Sequence, residues 1–369
     1  GMTDGDEGCW EKQMETDYSN PGLHVYDLIG RGSPAESGGS HRFQEDVPLP
    51  EQYGTFRDIA DRSERTITMQ QRRSLQLLSA RNNPLPAEWL KKDLVTKIRD
   101  LSFPLHFLDF EAAASAVPMV SGGRPYSRVL FQFSCHTLQR DGRLIHSQWL
   151  DSEQRGKPHV GFVRELARIP AIGEGTVVQY SPFEKQALIM LYREFSGGSD
   201  SSGDSDNEEL AGKLRNIIKG YDPEGKDRFL DLNRMTRDFY YNREMNSGLG
   251  LKQVLMSTLK ISRHLQNLYG EAVDFDGDSL RLVQKRDGNL VDPYSLIQDE
   301  HMIIDEGSSA MHAWLYTKTP YCGEQTRKQI QKALRRYCML DSLALVMIYQ
   351  HWAHLVQHVQ AEEDLIVRE

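Results

Sequence analysis

Hydrophobic positions change their spacing at residue 103. Before it, residues 1–45 are rich in Gly, Ser, Asp and Glu and read as loop or extended chain, with LHVYDLI as one short strand. Residues 55–82 carry a polar helical pattern that Asn83-Pro84 interrupts. Trp89, Leu90, Leu94 and Ile98 then fall at helical spacing and predict a second helix beginning near Pro86. From residue 103 the runs become strand-like. FPLHFLDFEAA reads as a buried strand, and RVLFQFSCHTL and LIHSQWL as two more, joined by QRDGR, whose Asp-Gly signals a hairpin. HVGFVRELARI reads as a helix, TVVQY as a strand, SPFEKQALIMLYREF as an amphipathic helix and FLDL as a short strand. SGLGLKQVLMSTL is read as loop then helix, residues 272–300 as an inserted hairpin, and residues 324–360 as one long helix. Strands alternating with helices after an initial hairpin point to a mixed α/β domain. The expected division is an arm with helices over 1–99 and one large domain over 100–360.

Composition narrows the class. The chain has 369 residues, 39% hydrophobic and 26% charged, enough apolar content for a real core. Its net charge of −9 excludes a protein that coats nucleic acid with a basic surface, but neither a local basic groove nor an acidic metal cluster. SGGSDSSGDSDNEE, residues 196–209, holds five acids and no base and is read as a mobile surface loop. No run of 18 apolar residues occurs, so no membrane span is expected, and no signal peptide is visible. Gly1 before Met2 reads as a tag-cleavage remnant. Cys9, Cys135, Cys322 and Cys338 form no C-x-x-C pair, so a zinc knuckle is not expected, and reduced thiols fit a cytoplasmic setting.

The candidate chemistry is carboxylate chemistry. Asp109 and Glu111 lie two apart in the strand HFLDFEA and so share a face. Burying two like charges is costly unless a cation compensates, and Mg²⁺ takes hard oxygen ligands of this type. The plain alternative is a strand end open to solvent. Tyr337 and Asp341, in YCMLD, are one helical turn apart; a rim Asp beside a core Tyr is their alternative. Glu184 follows TVVQY, and Ser181-Pro182-Phe183-Glu184 also reads as a capping box. Asp231 is a further candidate acid, or the N-cap of the helix NRMTRDFYY.

The order of D-x-E on a first strand, an acid in a strand-to-helix turn and Y-x-x-x-D on a late helix resembles the DEDD-type 3′–5′ exonucleases of the ribonuclease H-like superfamily, in the tyrosine subclass. The chain is also similar to a bacterial domain of unknown function usually found behind a RecB-like nuclease domain, through FPLHFLDFEAAASAVPMVSGGRPYSRVLFQFSCHTL, VVQYSPFEKQAL, FLDLNRMTRDFYYNREMNSGLGLKQVL and RRYCMLDSLALVMIY. The resemblance covers residues 100–350. It implies a mixed five-stranded sheet with its first three strands antiparallel, Asp109 on the central strand and helices on both faces. It assigns metal ligation to Asp109, Glu111, Glu184 and Asp341, with two Mg²⁺ or Mn²⁺ ions per site, and gives Tyr337 the attacking water. Glu184 departs from the family, which has Asp there. The implied activity is hydrolysis of single-stranded or frayed nucleic acid. An N-terminal RecB-like nuclease domain, absent from this chain, is an implied partner, and Cys9-Trp10 would be a remnant of its cluster-binding region.

Candidate substrate contacts are Arg124 and Tyr126 in GGRPYSR, Phe183, Lys185 and Lys252. Arg335 and Arg336 are further candidates for phosphate, and Tyr240 and Tyr241 for stacking on unpaired bases. His136 reads as a strand histidine. The alternative to an enzyme is a noncatalytic nucleic-acid-binding or protein-interaction module on a degenerate ribonuclease H-like fold.

Overall fold

The computed structural model describes residues 66–69, 71–72, 75–76, 88–118, 123–153, 157–197, 205–219, 227–245, 248–298, 304, 306–357 and 365–368. The expected arm and strand over 1–45, with Cys9, lie outside them. In chain order the elements are β1 (Glu88–Lys91), α1 (Lys92–Arg99), β2 (Leu105–Ala113), β3 (Val129–Leu138), β4 (Leu144–Leu150), α2 (Pro158–Leu166), β5 (Thr176–Gln179), α3 (Phe183–Gly197) and α4 (Ser205–Lys219). They continue with β6 (Phe229–Asp231), α5 (Leu232–Phe239), β7 (Tyr240–Asn242), α6 (Leu251–Ile261), α7 (Arg263–Leu268), β8 (Val273–Phe275) and β9 (Asp278–Leu280). The last are β10 (Lys285–Arg286), β11 (Asn289–Leu290), α8 (Pro293–Leu296), α9 (Gly307–Thr317), α10 (Glu324–Gln357) and β12 (Leu365–Arg368). Among the described residues no helix is long and apolar enough to cross a membrane.

The chain divides into two compact units. One comprises Gly1–Val95, Thr236–Leu249 and Gln360–Glu369. It holds a three-stranded antiparallel sheet of order β12-β1-β7. Here the helix predicted near Pro86 is corrected. Glu88–Lys91 is a strand, and helix begins only at Lys92. Pairing on both edges of β1 overrides the helical spacing of Trp89 and Leu90. Met69, Gln71, Arg72, Leu75 and Gln76, within the predicted 55–82 pattern, are helical. The buried Arg72 guanidinium donates to the carbonyl oxygens of Thr236, Arg237 and Tyr240. Tyr240 donates to Glu88 Oε2 at 3.0 Å, and the Tyr241 ring packs 5.4 Å from that of Trp89. Both tyrosines are buried, so neither offers a face for an unpaired base.

The other unit comprises Thr96–Met235 and Gly250–Val359. Its sheet has five strands in the order β4-β3-β2-β5-β6. β2, β3 and β4 are antiparallel neighbours, while β5 runs parallel to β2 and β6 parallel to β5. That is the expected mixed sheet, with Asp109 on its central strand. Alternation along β2 sorts the faces. Leu108 and Phe110, with Phe133 and Cys135 of β3, enter a cluster that includes Phe162 and Leu166 of α2, Leu188 and Leu191 of α3 and Leu214 of α4. Each such side chain, fully buried, contributes about 1.5–3 kcal/mol. The opposite face meets α9 and α10. Phe107 lies 5.4 Å from the Tyr349 ring, and Phe131 stacks on Trp314 at 4.6 Å. Asp109 and Glu111 belong to this second face by register.

The predicted β3–β4 hairpin forms, and Gly142 takes φ +89° at its turn. The stretch 196–209, expected as a loop, is helical where described. α3 runs through Gly197 and α4 starts at Ser205, because Leu210, Ala211 and Leu214 give α4 a face to bury. Residues 272–300 are not one hairpin. They form the ribbons β8–β9 and β10–β11, turning at Asp276-Gly277 and Asp287-Gly288, and then the short α8. FLDL gives only Phe229–Asp231 to the sheet before α5 begins.

Candidate metal centre

β2 presents Asp109 and Glu111 from one face, and α10 crosses that face with Tyr337, Cys338 and Asp341. A polar chain fixes the crossing. Ser342, next to Asp341, shares a 2.7 Å hydrogen bond with Ser134 Oγ and a 2.8 Å one with His136 Nδ1. Ser134 pairs across the sheet with Asp109, so the helix is seated on the residue opposite the carboxylate. His136 is thus a buried strand histidine, stacked on His146 at 4.5 Å. Gln132 Nε2 adds a 2.8 Å bond to the Leu334 carbonyl, one turn before Cys338.

The result is a convergence of carboxyl groups. One oxygen from each of Asp109, Glu111 and Asp341 lies within 4.8 Å of the others. Glu111 and Asp341 are buried and Asp109 is half-buried. Burial and the charge of Asp341 hold the Asp109 carboxyl well above the usual range, against the Cys338 thiol, which donates to Oδ2 at 3.1 Å. Glu111 is raised by burial, then by Asp109, Asp341 and Glu184, and Lys252 opposes them. Asp341 is pushed up to about 6 by burial, against donors from Tyr294 and Tyr337 and the charge of Lys252. Tyr294 donates to Asp341 Oδ1. Both tyrosine hydroxyls are themselves pushed upward by burial and by Asp341, so they remain donors at every ordinary pH.

Glu184 opens α3 beside this cluster but is not within its 4.8 Å group. Ser181 Oγ accepts from the Phe183 amide at 3.3 Å, as a cap does. The Glu184 carboxyl turns instead toward the sheet. Burial and Asp109 raise it, while the amides of Glu184 and Phe110 lower it. Its Oε2 is buried without a hydrogen-bond partner. The first turn of α9 also abuts the cluster, since a Cβ added at Gly307 would stand 3.7 Å from Glu111 Oε2.

The remaining candidates separate. Lys252 Nζ lies 4.3 Å from the Tyr294 ring centre and 4.9 Å from that of Tyr337, inside the site. Lys185 is paired with Asp227, and Asp231 caps α5 by accepting the Arg234 amide at 3.0 Å. Arg335 and Arg336 reach Asp276 and Asp278 of the β8–β9 ribbon at 3.7 and 3.0 Å. Phe183 is half-buried beneath the Arg128 guanidinium, 4.8 Å away. Tyr126 is 71% exposed with φ +59°, its amide held by the Ser115 carbonyl at 2.8 Å. Arg124 is exposed in the same turn. Sequence reasoning missed Tyr294 and Cys338. Cys338 is three residues before Asp341, on the same helix face, which was a usable signal; Tyr294 had none.

Residues 106–249 match the family model described as Domain of unknown function (DUF2779). The match spans Asp109, Glu111, Glu184 and Asp231 and ends before Lys252, Tyr294, Tyr337 and Asp341. No curated protein and no solved structure matches the chain.

The donor set fits a hard divalent cation. It offers carboxylate oxygens only, and three acids, two of them buried and one half-buried, crowd together with an unsatisfied fourth beside them. Such acids must be either protonated or compensated.

Proposed function

We propose that the second unit is a metal-dependent 3′–5′ exonuclease that hydrolyses phosphodiester bonds of single-stranded or frayed nucleic acid. The observation that supports it is the convergence of Asp109, Glu111 and Asp341 within 4.8 Å. Asp109, Glu111 and Asp341 would hold Mg²⁺ or Mn²⁺, two ions per site, with Glu184 Oε2 as a fourth donor. Bound cations of this kind supply Lewis-acid activation of the phosphoryl group and of water, and balance charge on the attacking and leaving oxygens. The chain's own groups do the positioning. Tyr337, held protonated beside Asp341, orients the attacking water as a donor and is not a base. Lys252 places a positive charge by Glu111 and Asp341, where phosphate charge would gather. Attack from the 3′ end rests on the motif resemblance, as does the pairing with a RecB-like nuclease domain. The free, buried Cys135, Cys322 and Cys338 suit a reducing cytoplasm.

The test is release of mononucleotides from a 3′-labelled single strand with Mg²⁺ or Mn²⁺. Wild-type protein yields product, and Asp109→Ala yields none. Robust hydrolysis by the variant overturns the assignment.

One observation favours a second reading. Asp109 and Asp341 already receive donors from Cys338 and Tyr294, so the cluster is partly satisfied without an ion. In a noncatalytic nucleic-acid-binding or protein-interaction module, Mn²⁺ would neither bind nor yield product.

A further inference from the structure

A cleft of about 590 Å³ opens along α3, beside the start of α2. Its rim carries Arg124, Arg128 and Lys157, all exposed, and its floor includes Val129, Met190 and Phe195. Among the described residues, no ion pair occupies any of the three cations. Elsewhere many cations are neutralised. Arg143, Arg164, Lys185, Lys318, Lys332 and Arg336 are all paired with acids. The one acid on the lining, Glu194, is held by His159 Nδ1 at 2.8 Å. A protein of net charge −9 thus gathers three open cations over an apolar floor.

The cleft adjoins the carboxylates through two links. Arg128 covers the Phe183 ring, and Phe183 precedes Glu184. Val129, on the floor, pairs with Ala113, two residues beyond Glu111. Met190 and Phe195 follow Glu184 on one helix, which at 1.5 Å per residue puts the cleft roughly 9–16 Å from it. The exposed Tyr126 ring stands in the turn between Arg124 and Arg128.

We infer that this cleft holds the backbone of a single nucleic-acid strand upstream of the end that enters the carboxylate site. This rests on the nuclease reading. Phosphates lie on Arg124, Arg128 and Lys157, a sugar or base on the apolar floor, and a base on the Tyr126 ring. Three cations on the rim with an apolar floor and an exposed aromatic ring suit a strand, with its phosphates and bases, more than a bare anion, and a volume of this size admits a nucleotide unit.

The test is binding in chelator, where no hydrolysis occurs. Fluorescence anisotropy follows a labelled twelve-nucleotide single strand and a dinucleotide, with Arg128→Glu, Lys157→Glu, Arg128→Lys and, as a control for overall charge, Arg143→Glu. Each reversal in the cleft is expected to weaken the long strand tenfold or more. It should also reduce the log–log salt slope by about 0.7 per lost phosphate contact. Arg128→Lys retains most of the affinity, and the loss for the dinucleotide is smaller than for the long strand. Wild-type affinity and slope in both reversals overturn the inference. So do an equal loss in Arg143→Glu and an equal loss for the dinucleotide, which would indicate a bare phosphate site. A wild type that binds the strand this way but releases no nucleotide with Mg²⁺ or Mn²⁺ sinks the nuclease reading and leaves the cleft standing.

Discussion

Tyr294 donates its hydroxyl to Asp341 Oδ1 across 47 residues of sequence. The tyrosine is buried, and its ring also lies under Lys252 Nζ. It therefore fixes which oxygen of Asp341 faces the cluster. Groups that orient a metal-binding side chain are worth about 10–100-fold in metal affinity or activity. Tyr294→Phe keeps the ring and removes the donor, so Mn²⁺ affinity by calorimetry is expected to fall by that factor. An unchanged affinity would reduce Tyr294 to a packing residue.

Asp109 and Glu111 stand close to Asp341, and burial and mutual repulsion outweigh the Cys338 thiol at Asp109 and the Lys252 charge near Glu111. Neutralising one of them should relieve repulsion in metal-free protein while removing a ligand. Asp109→Asn and Glu111→Gln are each expected to stabilise the metal-free protein by about 1–2 kcal/mol, as buried functional groups often do when replaced. Added Mn²⁺ raises the melting temperature of the wild type, because it binds only the folded state, and leaves both variants unmoved. Thermal melts with chelator and with Mn²⁺ separate these outcomes. Variants that melt lower than the wild type in chelator would contradict the repulsion argument.

The parts of this arrangement visible in sequence were those set by local periods. A period of two places Asp109 and Glu111 on one face, and a step of four places Tyr337 under Asp341. The Asp-Gly turns at 141–142, 276–277 and 287–288 were equally local, and all adopt left-handed glycine conformations. What failed was set by distant partners. Trp89 and Leu90 have helical spacing, yet they pair with Tyr241 and Tyr240 as strand. The acidic 205–209 segment looked like loop because its polarity hid the apolar face that α4 presents from Leu210 onward. Tyr294 lies in a segment without periodicity, and its partner is on another helix. Glu184 was legible as a cap or as a ligand, and the structure gives its capping role to Ser181 while its own carboxyl faces Asp109.

Gly175 immediately precedes β5, the strand that pairs in parallel with β2. Its φ is +61°, and a Cβ there would stand 2.0 Å from the Pro104 carbonyl oxygen. Gly142 also has positive φ, +89°, but nothing lies within 4 Å of an added Cβ. The backbone strain is shared and the clash is not. Gly142→Ala is expected to cost about 1 kcal/mol and Gly175→Ala about 3 kcal/mol or more. Arg228, which donates to the carbonyls of Ile172, Glu174, Gly175 and Ile217, holds the same corner and prevents easy relaxation. Urea unfolding of the two variants measures the difference, and equal losses would contradict the close approach.

Asp341 gives the clearest dependence on pH. Its folded-state value is raised to about 6 by burial, above its ordinary value of 3.8. A carboxyl raised on folding binds more protons in the native than in the unfolded chain, so its contribution to stability falls as pH rises between those two values. Above about pH 6 the folded protein carries the buried charge in full. Asp341→Asn carries no such charge at any pH. In chelator the variant is therefore expected to be more stable than the wild type at pH 7, by on the order of 1–3 kcal/mol. The advantage shrinks as pH falls through 6 toward 4. Taking the difference between the two proteins cancels the opposite trend from His106 and His146, which burial lowers to about 4 and which cost stability in acid. Mn²⁺ inverts the comparison at pH 7, since only the wild type can bind it with all three carboxylates. Denaturation curves at pH 5 and pH 7, with chelator and with Mn²⁺, read all four corners. A variant advantage in chelator that does not change with pH would show that Asp341 is already protonated, or already compensated, at neutral pH.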